Sequence, residues 1–519
     1  MMGALDKNAV VAVIGSGAMG AGIAQVAAQA GHAVKLFDTQ REALDKAVDG
    51  IAGAWNKLVA KGRMSSEDAG AARERLHAVA SLRELADAAL VIEAIVEDLE
   101  AKRALFAQLE HIVGEDAILA TNTSSLSVTA IGARLQHPGR LAGMHFFNPV
   151  PLMALVEVVS GLATTGATAQ TVHDTAASWG KTPVHARSTP GFIVNRLARP
   201  FYAEGLRLLN EGAADPATID AVLRDGGGFR MGPFELMDLI GHDVNHAVTK
   251  SVFDAYYGDP RFTPSVLQRE LVDAGYLGRK TGRGFYDYAD NAVPPHAACE
   301  PARKRPDYVG YSLEASADGS LTAPMLARLQ AHGIGVATRT SAEGHQHAEA
   351  PAFHCNGAAI YLTDGRTATA RAHDNRHDDT VVYDLVFDAA TATRIAVARA
   401  DQCSDAAFDA AVALFQAAGF VVTRLDDVPG LAVMRTVAML ANEAADAVQQ
   451  GVCSAQAADL AMQKGVNYPR GPLAWADAIG VAHVVRVLDH LAAAYGEDRY
   501  RVAPLLRRRH AAGRKLHAE

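Results

Sequence analysis

The chain is short of cysteine, of long apolar runs and of positive charge, and each shortage narrows the class of protein. Four cysteines are scattered over 519 residues, which favours reduced thiols in a cytoplasm over a disulfide framework. No apolar run approaches the ~18 residues of a membrane-spanning helix. The N-terminus has no basic region followed by an apolar one, so we expect a cytoplasmic protein without a secretory signal.

The balance of charge is acidic. Lys and Arg number 49 against 58 Asp and Glu, which gives a net charge of −9 and a pI near 6.1. That balance argues against a nucleic-acid partner and against an anionic membrane surface. Apolar residues make up 49% and charged residues 21%, as in an ordinary soluble globular protein. The length is too great for one hydrophobic core, so we expect three or four domains.

A glycine-rich loop follows the first predicted strand. Residues 10–14 form a short β-branched apolar run, which is typical of a buried parallel strand. Gly15, Gly17 and Gly20 come directly after it in the spacing G-x-G-x-x-G. Glycine allows a tight turn and the close approach of a pyrophosphate. The following predicted helix, residues 21–30, offers the unpaired N–H groups of its N-terminus to the phosphates.

A second predicted strand, residues 33–37, ends at Asp38. This acid lies 18 residues after Gly20, near the ~20-residue offset expected for a carboxylate that binds a ribose hydroxyl. Negative charge there repels a 2′-phosphate, so the sequence predicts a Rossmann-type site for NAD rather than NADP. A strand, turn and helix without any ligand is the alternative, which the ordered series of strand, loop, helix and acid disfavours.

Residues 1–188 alternate strand-like and helix-like segments, the pattern of a mostly parallel α/β sheet. Three further strands are predicted here, at residues 90–94, 117–120 and 141–144. The helical stretch at residues 39–80 is longer than a simple crossover needs and predicts a helical hairpin. It carries three cations, Lys57, Lys61 and Arg63. By the residues alone, these cations indicate a solvated helix face.

The pattern changes after residue 188. Residues 189–290 are mostly helical, and the following 20 residues are rich in proline, alanine and charge, as a linker is. Residues 310–425 form a weakened α/β unit that lacks a glycine fingerprint, and residues 426–519 are helical again. The predicted fold class is therefore α/β. An N-terminal Rossmann-type dinucleotide-binding domain, 1–188, is followed by all-α domains in tandem, with a degenerate α/β unit between them.

The degenerate unit has its own predicted elements. They are strands at residues 381–387, 395–398 and 420–425 and a helix at residues 405–418. Four potential metal ligands gather in the same unit, namely His345, His347, His354 and Cys355. Their spacing fits no usual zinc pattern and their surroundings have the composition of a loop. We therefore predict no metal site.

The chain contains an internal repeat. Three pairs recur 239 residues further along the chain: Pro190-Gly191 as Pro429-Gly430, Gly232-Pro233 as Gly471-Pro472, and Asp238 with Gly241 as Asp477 with Gly480. About a quarter of the positions are identical over this gapless window. The C-terminal region is therefore a second copy of the helical domain. In that copy, Met434 replaces Asn195 and Ala474 replaces Glu235.

Two polar side chains follow predicted strands, where ligands bind in open α/β sheets. Ser124 lies in the polar loop after the strand at residues 117–120. Capping the next helix is the structural alternative for this loop, and Ser125 or Ser127 could fill that role. His145 follows the strand at residues 141–144, beside the expected position of the nicotinamide. Its ordinary pKa near 6.5 suits proton transfer at neutral pH, although a single histidine is more often structural.

Two further residues complete a reacting set. Glu157 lies in the apolar run 155–159, and a carboxylate there is costly to bury unless it is paired. A histidine is the simplest partner, which the carboxylate would orient and whose charged form it would stabilise. Asn195 lies in the first predicted helix of the next domain, from which it could hydrogen-bond a substrate oxygen.

With these residues in place, the sequence resembles the L-3-hydroxyacyl-CoA dehydrogenases. The resemblance covers residues 10–288 and nearly all of the family's motifs. The segments that carry it are Ile14-Gly-Ser-Gly-Ala-Met-Gly20, Glu93-Ala-Ile-Val-Glu97, Asn122-Thr-Ser-Ser125, His145-Phe-Phe-Asn-Pro-Val-Pro151, Thr189-Pro-Gly-Phe-Ile-Val-Asn-Arg196, Met231-Gly-Pro-Phe-Glu-Leu236 and Lys280-Thr-Gly-Arg-Gly-Phe285.

The resemblance implies a role for each matching residue. His145 would be the base and Glu157 its partner, while Ser124 and Asn195 would bind the reacting oxygen. Four residues match positions that contact NAD, namely Glu97, Lys102, Asn148 and Lys280. Lys61 matches a lysine that meets the CoA moiety, which reverses the solvated-face interpretation of that helix. The serine that accompanies this lysine in the family is Ala54 here, so contacts with CoA differ in detail.

The resemblance also extends to the organisation of the chain. The tandem helical domains resemble the dehydrogenase portions of multifunctional fatty-acid oxidation enzymes. The free-standing length and degenerate middle unit are more similar to the bacterial dehydrogenases of phenylacetate breakdown, which implies a 3-hydroxyadipyl-CoA-type substrate. The two helical copies would pair within one chain, and a homo-oligomer remains open. The alternatives are a dehydrogenase of a small free hydroxyacid, which would usually rely on a lysine, and a non-catalytic NAD-binding structural protein.

Overall fold

The computed structural model describes residues 3–306, 308–312, 321–339 and 350–518. These residues form two compact units. The first consists of Met1–Arg196 and Gln450–Val466, and the second of Leu197–Gln449 and Asn467–Glu519. One short piece of the second helical copy therefore belongs to the unit that carries the glycine loop. The predicted boundaries of four domains, at 1–188, 189–290, 310–425 and 426–519, stay a prediction.

The first unit is built on an eight-stranded sheet in the order β3-β2-β1-β4-β5-β6-β7-β8. Its strands are β1 (Val10–Ile14), β2 (Val34–Phe37), β3 (Leu76–Ala78), β4 (Ala88–Glu93), β5 (Ile118–Thr121), β6 (Leu141–Phe146), β7 (Leu155–Ser160) and β8 (Thr182–Arg187). All neighbouring strands are parallel except β6 and β7. The strand order reverses between β1 and β4, which is where ligands bind in sheets of this kind.

The helices of this unit come between and after the strands. They are α1 (Ala18–Gln29), α2 (Arg41–Ala60), α3 (Ser66–Glu74), α4 (Leu99–Glu110), α5 (Val128–Gly132), α6 (Gly166–Ser178) and α7 (Val194–Leu197). The predicted helical hairpin is the pair α2 and α3, and β3 closes the same stretch. Trp55 and Ile51 on α2 are buried in one core with α1. The hairpin is therefore packed against α1.

Two of the predicted boundaries that differ in this unit concern the residues of the candidate site. Helix α1 begins at Ala18 and not at residue 21, because Gly17 already completes the turn, and Gly20 lies within the first turn of the helix. Strand β6 continues to Phe146, so His145 lies within the strand and not after its end. The antiparallel pairing with β7 extends β6 beyond the apolar run from which the strand was predicted.

The second unit and the piece exchanged with the first contain the remaining elements. In chain order they are α8 (Arg199–Asn210), α9 (Pro216–Ala221), α10 (Pro233–Ile240), α11 (His242–Ala255), α12 (Val266–Asp273), β9 (Tyr308–Ser312), α13 (Ala323–Ala331), β10 (Gly335–Arg339), β11 (Phe353–Cys355), β12 (Ala358–Leu362), α14 (Ala368–Asn375), β13 (Thr380–Tyr383), β14 (Arg394–Arg399), α15 (Asp405–Ala417), β15 (Val421–Arg424), α16 (Val433–Gln449), α17 (Ala455–Gly465), α18 (Pro472–Ile479), α19 (Val481–Tyr495) and α20 (Pro504–Ala511).

The described part of the degenerate unit forms a second sheet of seven strands in the order β10-β9-β11-β12-β13-β14-β15. From β12 onward the sheet repeats the pattern of the first, with a parallel pair, an antiparallel pair and a parallel pair. The predicted strand at residues 381–387 ends early, at Tyr383. The next residue, Asp384, still donates its N–H to Ala396 O at 2.9 Å, and its carboxylate accepts the N–H groups of Ala432 and Val433 at 2.9 and 2.7 Å.

Within the second unit, the two helical copies pack against each other through α8 and α16. The contact is not wholly apolar. The fully buried guanidinium of Arg435 on α16 pairs with Glu204 at 2.7 Å and with Glu211 at 2.7 Å. A second buried arginine, Arg261, pairs with Glu443 at 3.2 Å. These ion pairs fix the register of the two copies, since a buried charge without its partner is strongly destabilising.

Each helical copy also makes an equivalent contact with an α/β sheet. In the first unit, Arg187 donates its N–H to Val452 O at 2.8 Å, just before α17. In the second unit, Asp426 donates its N–H to Ala213 O at 2.9 Å, just before α9. Asp426 lies 239 residues after Arg187, and Ala213 lies 239 residues before Val452. The repeat therefore preserves a reciprocal contact.

All four cysteines are free thiols. Across the described ranges, no single helix is long and apolar enough to cross a membrane, although α18 and α19, bent by 100°, pass that test as a pair. Among the same residues, no group of three or more His, Cys, Asp and Glu side chains is arranged to hold a metal ion. His345 and His347 lie outside the described residues, so the prediction of no metal site stays a prediction.

Candidate active site

The three positions of the loop are occupied by glycine for different structural reasons. Gly15 has φ +98°, and a Cβ there would lie 2.4 Å from Ala94 O. A Cβ at Gly20 would lie 1.8 Å from Gly15 O. These two glycines are required by the packing of loop, strand and helix. A Cβ at Gly17, by contrast, would meet no described atom within 4 Å.

Gly17 is therefore explained by what it leaves open. It is the N-cap residue of α1 and offers no side chain to the N–H groups of the first helical turn. Those groups and the positive end of the helix dipole can hold an anion that approaches the bare backbone. The loop thus fits the pyrophosphate of a dinucleotide on the evidence of its own geometry.

Asp38 follows β2 directly and is tied to the same loop. One oxygen accepts both the N–H and the hydroxyl of Ser16 at 2.7 Å, and the other accepts the N–H of Gln40 at 2.9 Å. Burial alone would raise the pKa of Asp38, but the hydrogen bonds from Gln40 and Ser16 outweigh it and lower the pKa. A fixed negative charge therefore stands beside the glycine loop at neutral pH.

A cavity of about 510 Å³ lies beside the loop. Ser16 and Gly17 line one side of it, and Asn148 lines another. One face of α2 also contributes to its lining, through Lys46, Gly50 and their neighbours. The structure thus brings the predicted cofactor residue Asn148 to the loop. It places Lys61 on the exposed surface just after α2 and Ala54 on α2, so their relation to CoA stays a prediction.

His145 and Glu157 form a buried pair. They face each other across the antiparallel strands β6 and β7, in register, with Nδ1 of the imidazole 2.6 Å from a carboxylate oxygen. Their exposed fractions are 5% and 0%. Because the carboxylate accepts the Nδ1 proton, Nε2 carries the lone pair that can take a proton from a substrate.

The second oxygen of Glu157 is held by the backbone. It accepts the N–H groups of Ile193 and Val194 at 3.0 and 2.8 Å, at the start of α7. The preceding turn has left-handed backbone angles at Gly191, φ +76°, and at Phe192, φ +47°. Phe192 also packs its ring edge against the imidazole of His145, with centroids 5.8 Å apart. The turn therefore positions both members of the pair.

The polar loop after β5 is organised by Glu97. One oxygen of this carboxylate accepts the hydroxyl of Thr123 at 2.6 Å and the N–H groups of Ser124 and Ser125 at 2.9 and 3.1 Å. Burial raises the pKa of Glu97, but the Thr123 hydrogen bond and the charge of Lys102 prevail and lower it. An ionised carboxylate thus fixes the backbone that carries Ser124.

Lys102 supports this carboxylate from the protein interior. It is 1% exposed, and its ammonium lies 2.6 Å from Glu93 and 3.2 Å from Glu97. Glu93 in turn accepts the hydroxyl of Thr121 at 2.7 Å. Sequence reasoning missed Glu93 and Thr121, although an acid at the end of an apolar strand was a signal for a buried network. The predicted contacts of Glu97 and Lys102 with NAD stay predictions.

Asn195 joins the same loop. Its side-chain amide donates to Ser124 O at 3.3 Å. Ser127, and not Ser124, accepts the N–H that caps α5, so the capping alternative for Ser124 falls away. The structure therefore brings the four predicted catalytic residues together as two pairs, which the chain from Val194 to Asn195 links.

Lys280 lies in the second unit, where its ammonium forms an ion pair with Asp243. Its predicted contact with NAD also stays a prediction. Asn122 is a further residue that sequence reasoning did not assign, since its side-chain oxygen accepts the N–H of Phe146 at 2.8 Å and fixes the strand next to His145.

A dinucleotide loop and a buried histidine–carboxylate pair define a nucleotide-dependent oxidoreductase. Comparison with family models confirms this class. The model "3-hydroxyacyl-CoA dehydrogenase, NAD binding domain" matches residues 10–189. The corresponding C-terminal domain model matches twice, at residues 191–288 and 430–518, and the two matches begin 239 residues apart, as the repeat predicts. A "3-hydroxybutyryl-CoA dehydrogenase reduced Rossmann-fold domain" matches residues 360–429.

Individual relatives agree with the models. The chain is 46% identical over 499 residues to a 3-hydroxyadipyl-CoA dehydrogenase of Escherichia coli K12, covering 96% of this chain and 97% of that one. It is 41% identical over 284 residues to human mitochondrial hydroxyacyl-coenzyme A dehydrogenase, covering 54% and 90% of the two chains. A crystal structure described as E. coli 3-hydroxybutyryl-CoA dehydrogenase superposes with TM-score 0.88 at 43% identity, covering 98% and 99%.

The chain belongs to the 3-hydroxyacyl-CoA dehydrogenase family. The resemblance, the fold class and the NAD cofactor predicted from the sequence are thereby confirmed. Its activity is that of an NAD-dependent oxidoreductase.

Proposed function

We propose that the chain oxidises the 3-hydroxyl group of an L-3-hydroxyacyl-CoA to the 3-oxoacyl-CoA, with His145 as the general base. The observation that carries this proposal is the His145–Glu157 pair, 2.6 Å apart and buried, with the carboxylate held by two backbone N–H groups. NAD supplies the hydride acceptor. The hydroxyl proton goes to Nε2 of His145 as the C3–H bond breaks and the carbonyl forms.

Glu157 supports this step in two ways. It keeps the proton on Nδ1, so that Nε2 is ready to accept, and its charge stabilises the imidazolium that forms. Burial strengthens that interaction, since no bulk water screens it. The hydroxyl of Ser124 and the amide of Asn195 bind the oxygen that changes from hydroxyl to carbonyl. Positioned donors of this kind stabilise charge that develops on the oxygen.

The cofactor contacts follow from the loop. Gly15, Gly17 and Gly20 bring the backbone and the N-terminus of α1 to the pyrophosphate. Asp38 binds the ribose hydroxyls and repels the 2′-phosphate of NADP. Four further residues are proposed to contact NAD directly or through the Glu97 network, namely Glu97, Lys102, Asn148 and Lys280. Lys61 is proposed to meet the CoA moiety.

The choice of substrate is a more specific assignment than membership of the family. The relative named 3-hydroxyadipyl-CoA dehydrogenase, which is 46% identical over 96% of this chain, supports a 3-hydroxyadipyl-CoA-type substrate. A place in phenylacetate or β-oxidation-like breakdown in the cytoplasm is part of the same proposal. The two domain copies within the chain resemble a pair of subunits, and a further homo-oligomer is compatible with that arrangement.

One assay tests both the proposed reaction and the proposed acyl group. Absorbance at 340 nm reports reduction of acetoacetyl-CoA by NADH, and the same assay with free 3-oxo acids shows whether the CoA thioester is needed. Oxidation of 3-hydroxyacyl-CoAs of equal length, with and without a terminal carboxylate, then ranks the acyl group. His145→Gln should lose about 10²–10⁴-fold in kcat and still bind NAD. Near-normal turnover of the folded variant would remove His145 from the mechanism.

A further inference from the structure

The turn between β6 and β7, residues 149–153, borders the cavity beside the glycine loop. Its first three residues line that cavity together with Asn148. Val150 also packs on α1, since a Cβ added at Gly22 would lie 2.8 Å from the Cβ of Val150. The position of the β6–β7 turn therefore determines where Asn148 lies beside the start of α1.

One ammonium group holds the β6–β7 turn. Lys181 lies in the connection between α6 and β8, and its Nζ donates to Val150 O and to Met153 O, the second at 2.8 Å. Burial lowers the pKa of Lys181, and no described carboxylate offsets that effect. Since a charge is costly to remove from water without partners, the two carbonyl groups are the reason that this ammonium lies here.

The second sheet allows a comparison, because the offset of 239 residues extends to it. In the first sheet Glu157 pairs with Val184, in parallel strands. The residues 239 positions later, Ala396 and Thr423, pair in parallel strands of the second sheet. Each residue of the β6–β7 turn can therefore be compared with its equivalent.

Both sheets form the same turn. In the first, Leu152 and Met153 donate their N–H groups to Pro149 O at 2.9 and 3.0 Å. The same two hydrogen bonds recur 239 residues further along the chain, at 3.2 and 2.9 Å, within residues 388–392. The conformation of the turn is thus a property of the fold.

A cation also holds the turn of the second sheet, but it comes from another part of the chain. The two carbonyl groups that Lys181 holds correspond to those of Ala389 and Ala392. Both accept hydrogen bonds from Nη1 of Arg328 on α13, each at 2.7 Å. Phe420 stands at the position of Lys181, and the guanidinium of Arg328 lies 3.6 Å from its ring centroid. Different side chains therefore place a cation on the same pair of carbonyl groups.

The two turns differ in the residue that precedes them. The equivalent of Asn148 in the second sheet is Phe387, whose ring meets that of Trp475 with centroids 5.3 Å apart. In the first sheet the same position lines the cavity beside the glycine loop. The turn thus follows a packing residue in one sheet and a polar residue of the dinucleotide site in the other.

We propose that Lys181 is a positioning residue for NAD, whose ammonium group holds the β6–β7 turn where Asn148 and the turn contact the cofactor. Lys181 is not among the described residues that line the cavity, so it acts through the turn. The proposal rests on the place proposed for NAD beside the glycine loop.

The Kd of NADH, measured by its fluorescence with the full chain, tests the proposal. Lys181→Met keeps most of the side-chain length without the charge and should raise this Kd at least tenfold. Lys181→Arg should stay within threefold of wild type, because a guanidinium holds the same carbonyl groups in the second sheet. The matched control is Arg328→Met, which removes the cation from the second turn. It should lower Tm and leave the Kd unchanged.

Hydrogen exchange and kinetics give readouts that a general loss of stability would not reproduce. In Lys181→Met the amide protons of Leu152 and Met153 should exchange faster than in wild type, whereas in Arg328→Met those of Thr391 and Ala392 should do so. The KM for NAD should rise at least tenfold in Lys181→Met, and the KM for the acyl-CoA substrate should stay within twofold.

An unchanged Kd in folded Lys181→Met, or an equal rise in Arg328→Met, would overturn the proposal. If Lys181→Met does not fold, Lys181→Gln, which keeps an uncharged donor, takes its place under the same criteria. A wild-type chain that binds NADH but does not oxidise a 3-hydroxyacyl-CoA would refute the proposed function alone, since the NADH titration judges Lys181 without catalysis.

Discussion

Glu157→Gln separates the charge of the active-site carboxylate from its shape. In the native structure one oxygen faces His145 Nδ1 at 2.6 Å, and the other accepts the N–H groups of Ile193 and Val194 at 3.0 and 2.8 Å. Glutamine has nearly the same volume, so no cavity forms. It has only one acceptor oxygen for these three donors, however, and it has no charge.

Both orientations of the new amide are unfavourable. If its oxygen stays on the backbone N–H groups, its NH₂ group donates to Nδ1 and moves the imidazole proton to Nε2, where the base needs a lone pair. If its oxygen turns to His145, the NH₂ group faces two N–H donors, and each hydrogen bond lost to a charged acceptor costs about 1.5–3 kcal/mol. In either case the imidazolium loses its negative partner. We expect kcat to fall by about 10²–10⁴-fold, the range for loss of a general base.

The assay is oxidation of a 3-hydroxyacyl-CoA, followed at 340 nm from pH 6 to pH 10, with NAD binding measured by fluorescence. The matched control is Asp384→Asn. Asp384 is also a buried carboxylate that accepts N–H groups at a helix start, here three, from Ala432, Val433 and Met434. The first two are equivalent to Ile193 and Val194. The control should lower Tm and keep turnover. A wild-type kcat and pH profile in Glu157→Gln, or an equal loss in the control, would refute the reasoning.

Three further predictions concern pH, cofactor choice and stoichiometry. Burial raises the pKa of Asp384 from 3.8 to about 6. Between these pH values the folded chain therefore holds more protons than the unfolded chain, and its stability falls as the pH rises. Asp384→Asn should flatten the dependence of Tm on pH in that window, and an unchanged slope would contradict this. Asp38→Ser combined with Thr39→Arg should raise the ratio of catalytic efficiencies for NADP over NAD at least tenfold, whereas a wild-type enzyme that uses both equally would show that Asp38 does not select. Titration with NAD should give one site per chain because only the first sheet has a glycine fingerprint, and two sites would disprove that assignment.

The glycine loop was predictable because its spacing has few structural solutions. Gly15 and Gly20 are forced by contacts shorter than any Cβ tolerates, whereas the packing does not force Gly17, which leaves the start of α1 open. The pairing of His145 with Glu157 could be suggested but not established from sequence. A shift of one residue in the register of β6 and β7 would have turned one side chain to the opposite face of the sheet.

The role of Glu97 as the anchor of the polar loop was not predictable from local sequence. Its carboxylate gathers donors from residues 123–125, which come nearly 30 positions later, and only the adjacency of β4 and β5 brings them together. The same holds for the exchange of α17 into the first unit. The repeat identifies a second helical copy but does not show which sheet each of its helices contacts.

Comparison with the second sheet separates the contacts of His145 and Glu157 that serve folding from those that do not. In the first sheet Glu157 pairs with Val184 on β8 and with His145 on β6. The position 239 residues after Val184 is Thr423, which pairs with Ala396 on β14. Ala396 therefore stands where Glu157 does in the first sheet.

The position opposite Ala396 completes the comparison. The N–H of Asp384 bonds to Ala396 O, so Asp384 stands where His145 does. In this copy a single carboxylate, placed on the strand of the histidine, holds the start of the next helix, and no imidazole is present. Anchoring that helix is thus common to both copies and belongs to folding. Orienting an imidazole belongs to the first copy alone, so Glu157 has two separable roles in the structure, and only the second enters the proposed mechanism.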